Sequence, residues 1–129
     1  LGLQKIPPAI SPVYDQNPAY QVVTYDLTTG VPTDFSTTYL ANLDKASLAV
    51  PGDWQHEYTF TSAYGLPDYS AASVATMVDG VKAGGAVADT YRRLYMVSHG
   101  ELPAKDLPAY VCAMTRLTPA AFTACYCGG

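Results

Sequence analysis

Basic charge is scarce in this chain of 129 residues: seven Lys and Arg stand against eleven Asp and Glu, a formal net charge of −4. Only Arg92 and Arg93 adjoin one another. The basic face that neutralises phosphates along a nucleic acid is therefore missing, and no nucleic-acid partner is expected. Long apolar runs are missing too. Each is broken within a few residues by Gly, Pro or a polar side chain, far short of the roughly 18 residues that cross a bilayer, so no transmembrane segment is expected. Histidine is limited to His56 and His99, and no Cys-x-x-Cys, His-Glu-x-x-His, Gly-x-Ser-x-Gly or P-loop occurs. That leaves no catalytic motif and no local zinc site of the usual spacing. With 14% charged and 49% hydrophobic residues the composition excludes a disordered chain. The length suits one domain around one core.

Tyrosine and proline are abundant, at eleven and ten residues. The tyrosines are expected in half-buried positions with a hydroxyl reaching a partner. Pro7, Pro8, Pro12 and Pro18 keep the start of the chain extended. Two β-rich runs follow, 21–25 and 35–40, and the turn formers between Asp26 and Pro32 predict an antiparallel hairpin. After Pro51-Gly52 the side chains of Trp54, Tyr58, Ala63 and Tyr64 sit at helical spacing, predicting a short helix stopped by Gly65. Ser70 is an N-cap for a helix to about Lys82, with Val74, Met77, Val78 and Val81 along one face. Gly84-Gly85 ends it, and a further helix is expected from about Val87 to Ser98. Two more are expected at about 106–115 and 119–125, the second capped by Thr118 with Pro119 at its first position. Strands followed by helices, without βαβ alternation, define an α+β fold.

All three cysteines, Cys112, Cys125 and Cys127, lie in the last eighteen residues. The clustering predicts a disulfide across a C-terminal helical hairpin, one thiol left over, and an oxidising compartment. An antiparallel helix pair brings Cys112 within the roughly 4.4–6.8 Å Cα separation that a bond to Cys125 requires, and Cys127 competes if the last turn unwinds. Asp53, His56 and Glu57 would converge at i, i+3 and i+4 on a helix. They could ligate a metal there, but a solvated first turn favoured by the helix dipole is the expected state. His99, at the end of an aromatic helix, either caps unpaired carbonyls or presents its ring to a cleft. For Arg92 and Arg93 an anion site competes with salt bridges to Asp89 and other surface acids, and the salt bridges are expected. Asn17-Pro18-Ala19-Tyr20 reads as a Pro-locked turn, or as a polar loop bordering an active site.

The order of several segments resembles a known family. Ile10-Ser11-Pro12, Asn17-Pro18-Ala19-Tyr20, the run Thr38 to Leu43, Trp54 with Glu57-Tyr58, and Ala63-Tyr64-Gly65-Leu66-Pro67-Asp68 are similar to the carboxy-terminal part of acid sphingomyelinase-like phosphodiesterases. Tyr91, Leu94, Tyr95, Val97, Ser98 and His99 resemble that family's aromatic helix, and the step from Cys112 to Cys125 resembles the spacing of its C-terminal disulfide. The likeness runs from about Ile10 to Cys125. It implies a calcineurin-like metallophosphoesterase domain, two sheets flanked by helices, with two metal ions, usually zinc, held by His, Asp and Asn ligands that precede this region. The last of these lies in a Gly-His-x-His motif, and this sequence has none. By the same resemblance, residues 1–43 supply the terminal strands of that domain, their β-hairpin completing its sheet, and residues 44–129 form a small helical C-terminal subdomain.

Several expectations follow from that likeness. The chain alone carries no catalytic residue, metal ligand or cofactor, while the parent protein hydrolyses a phosphoester through a hydroxide generated by two metals. Its partners are the rest of the catalytic domain and the phosphoester substrate. Asn17, in the loop from Val13, and His99 are the positions expected nearest the cleft. The disulfide joins Cys112 to Cys125, and the protein is secreted or otherwise extracytoplasmic. A secretion signal, which Leu1-Gly2-Leu3-Gln4 does not supply, is expected upstream. The stretch Glu101 to Tyr110 lacks the additional close cysteine pair of the animal enzymes, and no Asn-x-Ser/Thr site occurs. Two rival readings are a self-standing secreted, disulfide-stabilised binding or structural module, and a small metalloenzyme built on Asp53, His56 and Glu57.

Overall fold

The computed structural model describes residues 3–12 and 15–128. Within them the chain is α+β, a three-stranded antiparallel meander followed by helices. Strands β1 (Ala19–Tyr25) and β2 (Pro32–Leu40) form the expected hairpin, with Ala19 opposite Tyr39 and Val23 opposite Phe35. Asp26 makes the turn. Its Oδ1 accepts from the amides of Thr28 and Thr29 at 2.8 and 2.9 Å, and Gly30 takes the left-handed φ of 70° that closes it.

The helix expected over 54–64 is corrected: its first half is a strand, β3 (Trp54–Thr59), paired to β2, and only Phe60–Tyr64 is helical (α1). Trp, Tyr and Thr suit a pleated surface, and the open edge of β2 offers a ladder of backbone partners that outweighs the local spacing. The pairing steps from Thr37 opposite Tyr58 to Thr38 opposite His56, which leaves Glu57 as the unpaired residue of a β-bulge. Asp34 ties the sheet to α1, accepting from Thr61 Oγ1 at 2.6 Å and from the Thr61 amide at 3.3 Å. Gly65, at φ 64°, ends α1 as expected.

Phe35, Phe60 and Tyr69 are the buried centre, their ring centroids 4.9–5.4 Å apart, with Val23, Tyr58, Tyr64, Leu66 and Val74 packed around them. The Lys5 ammonium lies 3.4 Å from the centre of the Phe35 ring. Burial lowers its amine to about 8.

Helix α2 (Ala71–Ala83) starts where Ser70 accepts from the Ser73 amide at 3.2 Å, and Gly84 stops it. Helix α3 (Ala86–Tyr95) ends three residues earlier than expected, because Val97 and Ser98 both turn to positive φ. Helices α4 (Leu107–Thr115), entered through a 3₁₀ turn at Ala104–Asp106, and α5 (Pro119–Cys127) form the terminal hairpin. Thr118 Oγ1 accepts from the Ala121 amide, the N-cap read from the sequence. Cys112 and Cys125 are bonded with their Cα atoms 5.8 Å apart, and Cys127 is a free, exposed thiol. Among the described residues no helix is long and apolar enough to cross a membrane.

Candidate functional site

Three segments distant in sequence meet where α3 ends. The chain leaves the helix through Met96, and Val97 and Ser98 adopt φ of 52° and 54°, followed by Gly100 at 88°. A β-branched residue in the left-handed region is a conformational outlier, held only where surrounding contacts fix it. Val97 is 3% exposed, so burial is one such contact. The carbonyls of this turn supply another. Gln16 Nε2 donates to the Tyr95 carbonyl at 3.0 Å, and Asn17 Nδ2 donates to the Val97 carbonyl at 2.9 Å. In return His99 Nδ1 meets the carbonyl of Asp15 at 2.7 Å, which requires that nitrogen to carry its proton. Asp15 itself has φ 58°. Segment 15–17 and turn 95–99 thus form a clasp, with the ring of His99 exposed on it.

The two candidates Asn17 and His99 are brought to this one place, although neither makes the local contact expected of it. The Asn17 side chain does not close its own turn, and the His99 ring reaches Asp15 rather than the carbonyls that end α3. Val13 and Tyr14, the start of the loop expected nearest the cleft, lie outside the described residues.

Beneath the clasp lies Glu57. Ser98 Oγ donates to Glu57 Oε1 at 3.0 Å, whereas Oε2 is buried with no hydrogen-bond partner among the described residues. The bulge in β3 aims this side chain at the turn. Desolvation raises its carboxyl to about 7, against the smaller opposing pull of the Ser98 hydroxyl and the Arg93 guanidinium. A carboxyl in that condition exchanges a proton near neutrality. Around it the phenols of Tyr58, pushed up by burial to about 12, and of Tyr64, raised further by the same cause, stay protonated.

The other candidates are dispersed. Asp53 accepts from Gln55 Nε2 at 2.8 Å, His56 Nε2 lies 3.1 Å from Thr59 Oγ1, and Glu57 turns to Ser98. Asp53 precedes β3 and the bulge turns Glu57 toward Ser98, so the three do not converge as they would on a helix. Among the described residues no three His, Cys, Asp or Glu side chains gather as a metal site. Arg92 forms the expected ion pairs, with Asp89 at 3.4 Å and Glu101 at 3.1 Å, and its Nε donates to the Leu102 carbonyl at 2.7 Å. Gln16 lies in the loop from Val13 to Asn17 that the sequence singled out, whereas the parts played by Ser98 and Glu57 were missed. The visible signal was the Ser98-His99-Gly100 run, which marks a turn rather than a fourth helical turn.

No protein-family model matches the chain. It is 34% identical over 111 residues to human acid sphingomyelinase-like phosphodiesterase 3b, a stretch covering 84% of this chain and 24% of that protein. The mouse protein of the same name is 28% identical over 114 residues, 87% of this chain and 25% of its own length. Sphingomyelin phosphodiesterase B of Dictyostelium discoideum is 26% identical over 88 residues, 68% of this chain and 14% of its own. The chain thus spans a quarter or less of the length of these relatives.

Proposed function

Since the chain corresponds to a carboxy-terminal region of the acid sphingomyelinase-like phosphodiesterase family, we propose that it is the part of a secreted, metal-dependent phosphodiesterase that lies beyond the metal ligands. The observation that carries this reading is the match over 84% of this chain to only 24% of the human relative. On its own the chain does no chemistry. The two metal ions, zinc in this reading, belong to the preceding part of the catalytic domain, and the described residues of this chain offer no ligand set for them.

Residues up to about 43 then belong to the catalytic sheet, β3 extends that sheet beyond the boundary expected at 43, and the helical subdomain begins only with α1. The sheet supports this placement. β1 is an edge strand with Tyr20, Val22 and Tyr25 exposed, a surface that a further strand or layer would cover. The Cys112–Cys125 bond fits an extracytoplasmic protein. The clasp, carrying Asn17 and the exposed ring of His99, faces the phosphoester.

The test is an assay of bis-p-nitrophenyl phosphate hydrolysis with added zinc, by the chain alone and by the chain continuous with its upstream region. Turnover is expected only in the longer protein. Metal-dependent turnover by the chain alone overturns the reading, and its survival after replacement of Asp53, His56 and Glu57 removes the small-metalloenzyme alternative as well. A longer gene without metal-ligand motifs favours the self-standing module.

A further inference from the structure

The clasp is assembled on one carboxyl group whose surroundings do not suit its charge. Glu57 sits at the bulge of β3, one oxygen held by Ser98 and the other buried without a donor among the described residues. Ser98 and Val97 are left-handed residues, and the carbonyls flanking and within their turn hold Gln16 and Asn17. The bond from Ser98 is the one side-chain link from the sheet to this turn among the described residues. We propose that Glu57 gates the clasp: in its neutral form it keeps the 97–99 turn seated on β3, so that Asn17 and His99 are presented together, and on ionising it releases the turn and with it segment 15–17.

The physical cause is the orphaned oxygen. A neutral carboxyl tolerates a buried, unpaired atom far better than a carboxylate does. Above its titration point the charged group gains more from water than from one hydroxyl, and leaving the bulge pocket breaks the Ser98 contact. Val97 and Ser98 then lose a contact that fixes their strained backbone. Arg93 on α3 favours the charged form, and Tyr64 on α1 and Tyr58 on β3 face the group as neutral phenols. Among the described residues the clasp itself adds His99 and Asp15 as titratable groups. The value of about 7 given above for Glu57 puts the change within ordinary pH. The inference rests on the proposed function only for what the clasp binds, and it adds a regulation of that site.

The experiment is NMR of the full chain between pH 5 and 8.5, following the Glu57 Cδ, the amides of Val97 and Ser98, and the exchange of the Asn17 side-chain amide. A common midpoint near 7 is expected, with Asn17 protection, corrected for intrinsic exchange, about tenfold lower at the alkaline end, the ratio that one unit of coupling carries. Glu57→Gln should keep the clasp closed throughout, and Ser98→Ala should lower Asn17 protection at acidic pH. A Glu57 titration that leaves 15–17 and 97–99 unmoved overturns the gate, and so does a transition that persists in Glu57→Gln, which would belong to His99. Inorganic phosphate, titrated into the same samples, separates the two ideas: a pH-dependent clasp that never binds phosphate keeps the gate and counts against the phosphoester-facing site.

Discussion

Replacing Glu57 by Gln should make the folded chain more stable at pH 8 and leave it little changed at pH 5. The carboxyl is raised from 4.5 to about 7 by burial. Between those two values the folded state binds a proton that the unfolded state has released, so stability falls as pH rises. The contribution is complete below about 4.5 and is lost as pH climbs through about 7. A shift of that size corresponds to roughly 3 kcal/mol at 1.36 kcal/mol per unit. Glu57 is only half-buried, so solvent screening reduces this to about 1–2 kcal/mol. Asp26 and Asp68 act with the opposite sign. Their carboxyls are lowered, Asp26 chiefly by the Thr29 amide and Asp68 chiefly by the Ser70 hydroxyl, so their contribution is present above the ordinary value of 3.8 and lost as pH falls below it. The difference between wild type and Glu57→Gln isolates Glu57 from them. Urea unfolding at half-unit steps from pH 4.5 to 8.5 gives that difference directly, with the m-value as a check that the unfolded state is unchanged. Parallel stability curves, or a wild type that gains on the variant as pH rises, would refute the argument that the buried oxygen sets the protonation state.

Other predictions concern the frame around the clasp. Phe35→Ala removes the ring that touches Tyr58, Phe60 and Tyr69. It should cost about 3–5 kcal/mol in denaturant unfolding, and a loss below 1 kcal/mol would mean that the sheet does not depend on this cluster. Cys112→Ser opens the bond to Cys125, which closes a sequence separation of 13. It should cost about 3 kcal/mol, and non-reducing peptide maps of the wild type, cut after Arg116 and fragmented between Cys125 and Cys127, should link Cys112 to Cys125 and leave Cys127 free.

The elements legible in the sequence are those whose signals are local. Asp26 and Gly30 shape the β1–β2 turn through atoms within five residues. Ser70 and Thr118 cap α2 and α5 through amides three residues on. The disulfide across the C-terminal hairpin was legible from two adjacent helices, nine residues each in the structure, while the choice of Cys125 over Cys127 came from the family resemblance. What escaped the sequence depends on distant partners. The end of α3 is set by Gln16 and Asn17, which bond to carbonyls 79 and 80 residues away. β3 is set by the open edge of β2, and its bulge at Glu57 destroys the two-residue alternation by which a strand is recognised. Trp54 and Tyr58, four apart, then read as a helical face.

That one misread element inverts the chemistry of the residue it carries. In the first turn of a helix beginning near Trp54, Glu57 would meet unpaired amides and the positive end of the dipole, which favour an ionised, solvated carboxylate. In the bulge of a strand the same side chain meets Ser98, the Arg93 guanidinium and a buried wall whose desolvation outweighs both, and its proton is retained to about 7. The identity of the acid and its neighbours in sequence are the same in both cases. Only the backbone periodicity differs, and it decides whether the carboxyl lies among surface charges or under the clasp. Asn17 and His99 were less sensitive to this, because they were chosen through the order of segments in a family resemblance rather than through local geometry, and the structure brings both to the one clasp. Segment order can therefore nominate residues without their electrostatics, and the protonation state of Glu57 becomes visible only once the strand pairing is known.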